Sequence, residues 1–278
     1  MPEGDTIFRA AQTLHRVFAG RVVTRFESVF PHLNRVVDSH PLAGRSIESV
    51  ASRGKHLLMT FSGDLILRTH MRMNGSWHVY PAGARWKRPA GDMRILVGTE
   101  GAVAVGFNIP VAEFLTAREL AVHKQLGKLG PDLLADTFDA TAVVAAIRSR
   151  HDAIADVLLD QRVMAGIGNV FKSEILFLAG VNPFARGDAL PVEALERITT
   201  IARAELNANV LPQSRTLSPA FGRRTTRSLD PAAKLWVYGR GGKPCRRCGA
   251  PIQSRATGLD ARLTFWCPQC QRTLNESG

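Results

Sequence analysis

The stretches Cys245-Arg246-Arg247-Cys248 and, 18 residues further on, Cys267-Pro268-Gln269-Cys270 hold all 4 cysteines of the chain. Two C-x2-C pairs at this spacing can bring four thiolates round a tetrahedral zinc ion at ~2.3 Å. Between the pairs lie a turn signal, Thr257-Gly258, and a strand-like segment, Arg262-Leu-Thr-Phe-Trp266. The pattern predicts a β-hairpin with a cysteine pair at each end, a zinc ribbon holding one structural ion. Two disulfides are the alternative, and an intracellular setting opposes them. Four thiolates leave the metal no open position, which argues against a zinc-dependent hydrolase. In so small a module metal binding supplies the folding energy.

The charge balance around that hairpin points to its partner. From Arg240 to the end there are 7 basic residues (Arg240, Lys243, Arg246, Arg247, Arg255, Arg262, Arg272) against Asp260 and Glu276. A merely solvated surface needs no such imbalance, so a nucleic-acid contact is the better reading. The whole chain repeats the bias, with 36 Lys and Arg against 24 Asp and Glu, a net +12. Its 278 residues, 45% hydrophobic and 22% charged, allow two packed domains with a small appendage and exclude global disorder. The opening MPEGDTIFRA carries Glu3 and Asp5 where a signal peptide would be basic. Apolar runs such as Ile175–Leu178 fall far short of the ~20 residues of a membrane span. These features predict a soluble, cytoplasmic protein with no membrane partner.

Residues 1–120 read as mainly β. A helix is expected over Thr6–Phe18, with Ile7, Ala10, Ala11, Leu14 and Phe18 at helical spacing. Strands are expected over Arg21–Ser28, His56–Phe61, Leu65–His70, Ser76–Tyr80, Met93–Val97 and Ala102–Phe107, as in a sandwich or barrel. Residues 121–135, with Gly127, Gly130 and Pro131, read as a linker. Helices follow over Thr141–Arg148, Asp152–Leu159 with Asp152 as N-cap, Asn169–Ala179 closed by Gly180, and from Pro191 onward. Residues 211–230, with Arg215, Arg223, Arg224 and Arg227, read as a mobile basic loop. The expected domains are thus 1–120, the linker 121–135, 136–230 and 236–278.

The N-terminus offers covalent chemistry. Removal of Met1 exposes the secondary amine of Pro2, and an α-amino group titrates at roughly 7.7–8.0, so part of it is neutral at pH 7. A neutral secondary amine can attack C1′ of a deoxyribose and form an iminium ion, an electron sink for base loss and strand elimination. Glu3 is adjacent and can move protons. Lys55, in Arg53-Gly54-Lys55-His56, can meet a phosphate or act as an acid or base, or be a plain surface strand residue.

MPEG at the start, RGKHLL at 53–58, LGPDLL at 129–134, GIGNVFKSEILF at 166–177, VYGRGGKPC at 237–245 and the paired cysteines occur in this order. Together they resemble the formamidopyrimidine-DNA glycosylase/endonuclease VIII family over essentially the whole chain, with MPEGDTI and RGKHLL closer to the second-type bacterial members of its endonuclease VIII branch. The resemblance implies an α+β multi-domain fold: an N-terminal β-sandwich with flanking helices, a helix-two-turn-helix domain, and a C-terminal β-hairpin zinc finger, with damaged DNA between domains. It implies a bifunctional glycosylase and abasic-site lyase of base excision repair, monomeric, nucleoid-associated, and without a nucleotide cofactor. Pro2 would be the Schiff-base nucleophile, Glu3 the proton donor in base removal, Lys55 the proton donor in β-elimination, and Arg262 the finger arginine for phosphate binding and δ-elimination. Asn169 and Lys128 would contact the DNA backbone. Because the lesion must leave the stack, Met71, Arg72 and Met73 would sit where the family places its wedge, although the two methionines could equally alternate into the sandwich core. The alternative is a catalytically weak DNA-binding accessory protein on the same scaffold.

Two departures bear on substrate. Thr6 stands where many relatives carry a second glutamate, and Phe107-Asn-Ile-Pro110 replaces the arginine-containing segment of the purine-lesion branch. Both weaken an 8-oxoguanine preference and favour oxidised pyrimidines, with ring-opened or hydantoin purines compatible.

Overall fold

A computed structural model describes residues 2–210, 222–230, 232–258 and 261–272. Asp260, Glu276 and Arg215 therefore lie outside the described residues. The chain divides into two compact units, Met1–Lys128 and Leu129–Gly278.

The first unit begins with α1 (Gly4–Phe18), whose Ile7, Ala11, Leu14 and Phe18 form one buried stripe. The strands are β1 (Arg25–Ser28), β2 (Ile47–Arg53), β3 (His56–Phe61), β4 (Leu65–His70), β5 (Ser76–Pro81), β6 (Met93–Gly98), β7 (Ala102–Phe107) and β8 (Val111–Leu115). They form two four-stranded antiparallel sheets, β2-β3-β4-β8 and β1-β6-β7-β5. Leu57, Met59, Phe61 and Leu67 of one sheet share a core with Trp77, Ile95, Val97 and Ala104 of the other. On the second sheet the alternate residues Tyr80, Leu96, Val105 and Phe107 are buried as well, under a satellite cluster that includes Trp86. Helices α2 (Pro31–Ser39) and α3 (Ala117–Ala121) flank the sheets, α3 opening on a Thr116–Glu119 capping box.

β2, α2 and β8 escape a periodicity search, as does the five-residue α3, and one expected strand is shorter. The buried residues of β2 are Ile47 and Val50, three places apart, because the register slips between Ile47 and Ser49 and breaks the two-residue alternation. Leu33 is the single buried residue of α2. Pro110 hides the start of β8. The strand expected over Arg21–Ser28 starts only at Arg25; ahead of it Val22 makes one isolated bridge, to Ser46.

The second unit contains α4 (Ala140–Arg148), α5 (Ile154–Val157), α6 (Asn169–Ala179), α7 (Val192–Val210), β9 (Gln253–Thr257) and β10 (Arg262–Trp266). Asp139 caps α4 through Ala142 N–H at 2.8 Å. Asp152 does not cap α5: the chain at Ala153 is bridged to Arg186, and the Asp152 carbonyl accepts Gly187 N–H, so the helix forms only from Ile154. α6 ends on Gly180 at φ +69°, the left-handed conformation that glycine adopts without penalty.

Residues 129–135 are no free linker. Leu133 is fully buried, Asp132 bridges Ala165, and a Cβ on Gly130 would lie 2.5 Å from the Arg162 carbonyl oxygen, so this approach requires glycine. The described part of the expected basic loop, 222–230, is also pinned. Thr225 and Thr226 are buried, Arg224 N–H reaches Asn209 Oδ1 at 2.9 Å, and the Arg223 guanidinium lies over Phe171 at 5.4 Å.

α6 is buried almost all round and carries two ionisable side chains into the interior. The Glu174 carboxylate accepts the N–H groups of Trp236, Val237 and Tyr238 at 2.8, 2.9 and 2.8 Å and the Thr225 hydroxyl. Lys172 Nζ donates to Thr264 Oγ1 of β10 at 2.7 Å. Glu174→Ala strands these four donors, so it should lower unfolding free energy by at least about 3 kcal/mol. A stability change of less than about 1 kcal/mol at unchanged denaturant slope would show that the carboxylate is not what anchors Thr225 and residues 236–238.

Candidate active site and metal centre

Pro2 and Glu3 stand at the start of α1. Glu3 is the N-cap, its carbonyl accepting the N–H groups of Thr6 and Ile7 at 2.9 and 3.1 Å, and it is only 1% exposed. Pro2 is half-buried. Asp5, in the first turn of α1, is buried and paired with Arg9 at 3.4 Å. The N-terminal helix packs along β2 and β3, the strands whose hairpin carries Lys55. That hairpin has a two-residue loop, Gly54-Lys55, with Gly54 at φ +57° in its first position.

Pairing of β3 with β4 sets His56 opposite His70, so the Lys55 turn and the turn after His70 lie at the same end of the sheet. Gly75 N–H closes the second turn on the Met71 carbonyl at 2.9 Å. Arg72 sits at its apex at φ +49°, its N–H donated to His70 Nδ1 at 3.0 Å. Met73 is 60% exposed. Met71, by contrast, is 2% exposed and belongs to the sandwich core. A wedge role for Met71 is therefore corrected: its side chain is committed to packing, leaving Arg72 and Met73 as the residues that this turn presents.

A network centred on the buried Arg68, which sequence reading missed, supports this end. Arg68 donates Nε to His56 Nδ1 at 3.2 Å, Nη2 to Gln125 Oε1 at 2.6 Å, and Nη1 to the Glu113 carboxylate. His123 Nε2 meets the same carboxylate at 3.1 Å. Arg68, His70, Arg72, Glu113, His123 and Lys124 line a cavity of about 320 Å³. The available signal was Arg68, a charge directly after the apolar run Leu65–Leu67 and two places from His70, on the same strand face. Burial, then the Arg68 charge, pulls the His56 pKa down from 6.5 to about 2. Burial, then the charges of Arg72 and Lys55, pulls His70 from 6.5 to about 4. The positive charges of Arg72 and Lys55 thus both act on His70.

The second unit carries the remaining predicted residues except Lys128, which is exposed at the end of the first. Asn169 opens α6, is 8% exposed, and its Oδ1 has no hydrogen-bond partner among the described residues. The turn before it is braced by Gln161, which donates to the carbonyls of Leu159 and Ile167 at 2.9 and 3.0 Å and accepts Gly166 N–H at 3.1 Å. Arg262 begins β10, half-buried, opposite Thr257.

Cys245, Cys248, Cys267 and Cys270 are free thiols whose Sγ atoms all lie within 4.8 Å of one another. Cys245–Cys270 and Cys248–Cys267 are 4.0 and 3.5 Å apart. A tetrahedron of ~2.3 Å zinc–sulfur bonds has edges of roughly 3.8 Å, so the cluster fits one zinc ion. Burial and the neighbouring thiols push Cys270 upward, a repulsion that a dication would reverse.

Models of known families match three segments: the formamidopyrimidine-DNA glycosylase N-terminal domain at residues 1–108, its H2TH domain at 129–218, and the zinc finger found in FPG and IleRS at 242–273. A probable endonuclease 8 2 of Streptomyces coelicolor is 42% identical over 98% of this chain and 94% of its own. The chain belongs to the formamidopyrimidine-DNA glycosylase family. A DNA-(apurinic or apyrimidinic site) lyase Nei2 of Mycolicibacterium smegmatis is 34% identical over 98% of this chain and 99% of its own. A Lactococcus lactis formamidopyrimidine-DNA glycosylase, solved bound to DNA containing an abasic site, shares the fold at TM-score 0.81 and 21% identity, covering 98% of this chain and 100% of that one. The fold is accordingly the family's α+β architecture with its zinc finger. Among the described residues no helix is long and apolar enough to cross a membrane.

Two tests follow from this geometry. Elemental analysis should find one zinc per chain, and Cys267→Ser should lose it and lower the melting temperature; a metal-free variant melting with the parent would deny the ion a structural role. The histidines give a pH signature. Both pKa values are lowered, so below 6.5 the unfolded chain binds more protons than the folded one. Stability should be full above pH 6.5 and fall with acid between 6.5 and 4, by up to about 1.4 kcal/mol per pH unit for His56 and less for the half-exposed His70. His70→Asn should flatten the slope, and a parent protein with constant stability across that window would contradict the neutral, buried pair.

Proposed function

We propose that this chain is a bifunctional DNA glycosylase and abasic-site lyase that excises oxidised bases, pyrimidines foremost, and nicks the strand at the resulting site. The observation that carries this reading is the buried Glu3 carboxyl next to the imino residue Pro2 at the head of α1. The relatives' names, endonuclease 8 and DNA-(apurinic or apyrimidinic site) lyase, support it.

The chemistry assigns each group a task. With Met1 removed, the Pro2 nitrogen attacks C1′, the glycosidic bond breaks, and the base leaves with a proton supplied by Glu3. The sugar ring opens to an iminium ion on Pro2. Loss of a C2′ proton into that electron sink expels the 3′ phosphate (β-elimination), and a second elimination expels the 5′ phosphate. Lys55 is the proton donor for β-elimination, and Arg262 stabilises the phosphate leaving in the second step. Asn169 and Lys128 hold backbone phosphates, and Arg72 and Met73 occupy the space the extruded nucleotide leaves. Zinc takes no part in the steps; it holds the hairpin that carries Arg262. Lys55, Arg72 and neutral histidines at one end of the sheet suit an anionic backbone. Thr6 and the Phe107–Pro110 segment favour pyrimidine lesions. We further propose that the protein acts as a monomer, needs no nucleotide cofactor, and associates with the nucleoid through DNA.

Borohydride should trap a covalent complex with abasic-site DNA, and Pro2→Gly or retention of Met1 should abolish it. Glu3→Gln should lose base excision by roughly 10²-fold or more while retaining lyase activity on preformed abasic sites. Trapping that survives loss of Pro2 removes the nucleophile, and absence of any adduct leaves a DNA-binding accessory protein.

A further inference from the structure

The connection between β5 and β6 carries Ala84-Arg85-Trp86-Lys87-Arg88-Pro89, three cations and a tryptophan in 6 residues. It is built onto the outer face of the β1-β6-β7-β5 sheet. Strand alternation turns Trp77, Val79, Ile95, Val97 and Ala104 toward the sandwich core and Tyr80, Leu96, Val105 and Phe107 the other way. An outward row this apolar needs a cover, and Trp86 supplies it, its ring set edge-on to Phe107 at 5.7 Å. Lys87 N–H donates to the Tyr80 hydroxyl at 3.3 Å. The ends are tied by Ala82 N–H to the Gly101 carbonyl at 3.2 Å and by Asn108 N–H to the Asp92 carbonyl at 2.8 Å. The segment is a strap held at both ends and in the middle.

While Trp86 points in, Arg85 and Lys87 are exposed and Arg88 is half-buried. Among the described residues none of the three cations has a carboxylate within ion-pair distance. They stand close to the sheet: burial lowers the His78 pKa, and the charges of Arg88 and Lys87 lower it further. Residues 84–90 line an open concavity of about 640 Å³. Unpaired cations on a fixed backbone repel one another and cost little further ordering when a polyanion arrives.

We infer that this strap is a second nucleic-acid contact, with Arg85, Lys87 and Arg88 taking backbone phosphates of the bound DNA irrespective of sequence or lesion. The inference rests on the DNA-directed reading above and adds a surface separate from the Lys55–Arg72 end. Trp86 is a positioning residue, since it anchors the strap without meeting the phosphates.

The test is equilibrium binding of undamaged duplex, followed by fluorescence anisotropy across a salt series. Replacing Arg85, Lys87 and Arg88 together by Gln should weaken binding about tenfold and make the slope of log K against log salt shallower by roughly one per cation lost. Trp86→Ala should weaken binding with all charges in place. In the unaltered protein, DNA should protect Lys87 from an amine-acetylating reagent. A wild-type protein that fails to bind duplex overturns the DNA reading and the strap with it. Wild-type binding with an unchanged triple variant, or equal acetylation of Lys87 with and without DNA, overturns the strap alone, and protection of Lys87 by an acidic protein but not by DNA assigns it to a different partner.

Discussion

Two opposite charges withdrawn from water on one helix fix the second unit. Removing an ion from water costs several kcal/mol even after the protein relaxes, so Lys172 and Glu174 must each be met by dipoles of the right sign. Glu174 gathers three consecutive backbone N–H groups, at Trp236, Val237 and Tyr238, and so dictates the path into the cysteine module. Lys172 claims Thr264 in the second strand of the hairpin. Between them the hairpin is docked on α6 rather than left to its metal alone, with Phe177, Val237, Ile252 and Phe265 filling the seam. Arg262 is two residues from Thr264 and therefore on the same face of β10, the strand that the Lys172 contact docks on α6.

In the first unit, strand register decides which loops meet. His56 opposite His70, and His70 opposite Val111, make the turns that follow and precede these strands neighbours. Lys55, Arg72 and Met73 are thereby collected from two loops onto one end of one sheet. The same alternation leaves the other sheet with an apolar outer face, whose cover is the strap with Trp86.

Legibility of these features in the sequence follows from how local their causes are. α6 could be delimited to the residue because an apolar run meets a glycine in the left-handed conformation, both visible in twelve residues. The cysteine cluster was legible because ligand spacing alone defines it. β2 was not, since its bulge destroys the alternation that marks a strand. Asp152 looks like a helix cap until the distant Arg186 bridges its neighbour. Met71 and Met73 share a two-residue spacing that would put both on one strand face, yet β4 ends at His70 and both lie in the tight Met71–Gly75 turn, which sends one inward and the other to solvent. No sequence window contains the partners that make Arg68 tolerable, because Glu113 and Gln125 are 45 and 57 residues away.

Arg68 also explains why two histidines beside so many cations are useful. A protonated imidazole between Arg68, Arg72 and Lys55 would add repulsion, so both rings stay neutral, and a neutral ring keeps one nitrogen able to accept. His56 spends that acceptor on Arg68, and His70 spends its own on the Arg72 N–H. The second bond holds Arg72 in the left-handed conformation, which an arginine adopts only when something compensates it. Neutral histidine is thus the residue that converts a crowd of positive charge into a shaped turn, and Glu113, a carboxylate lining that cavity, offsets the charge of Arg68 beside it.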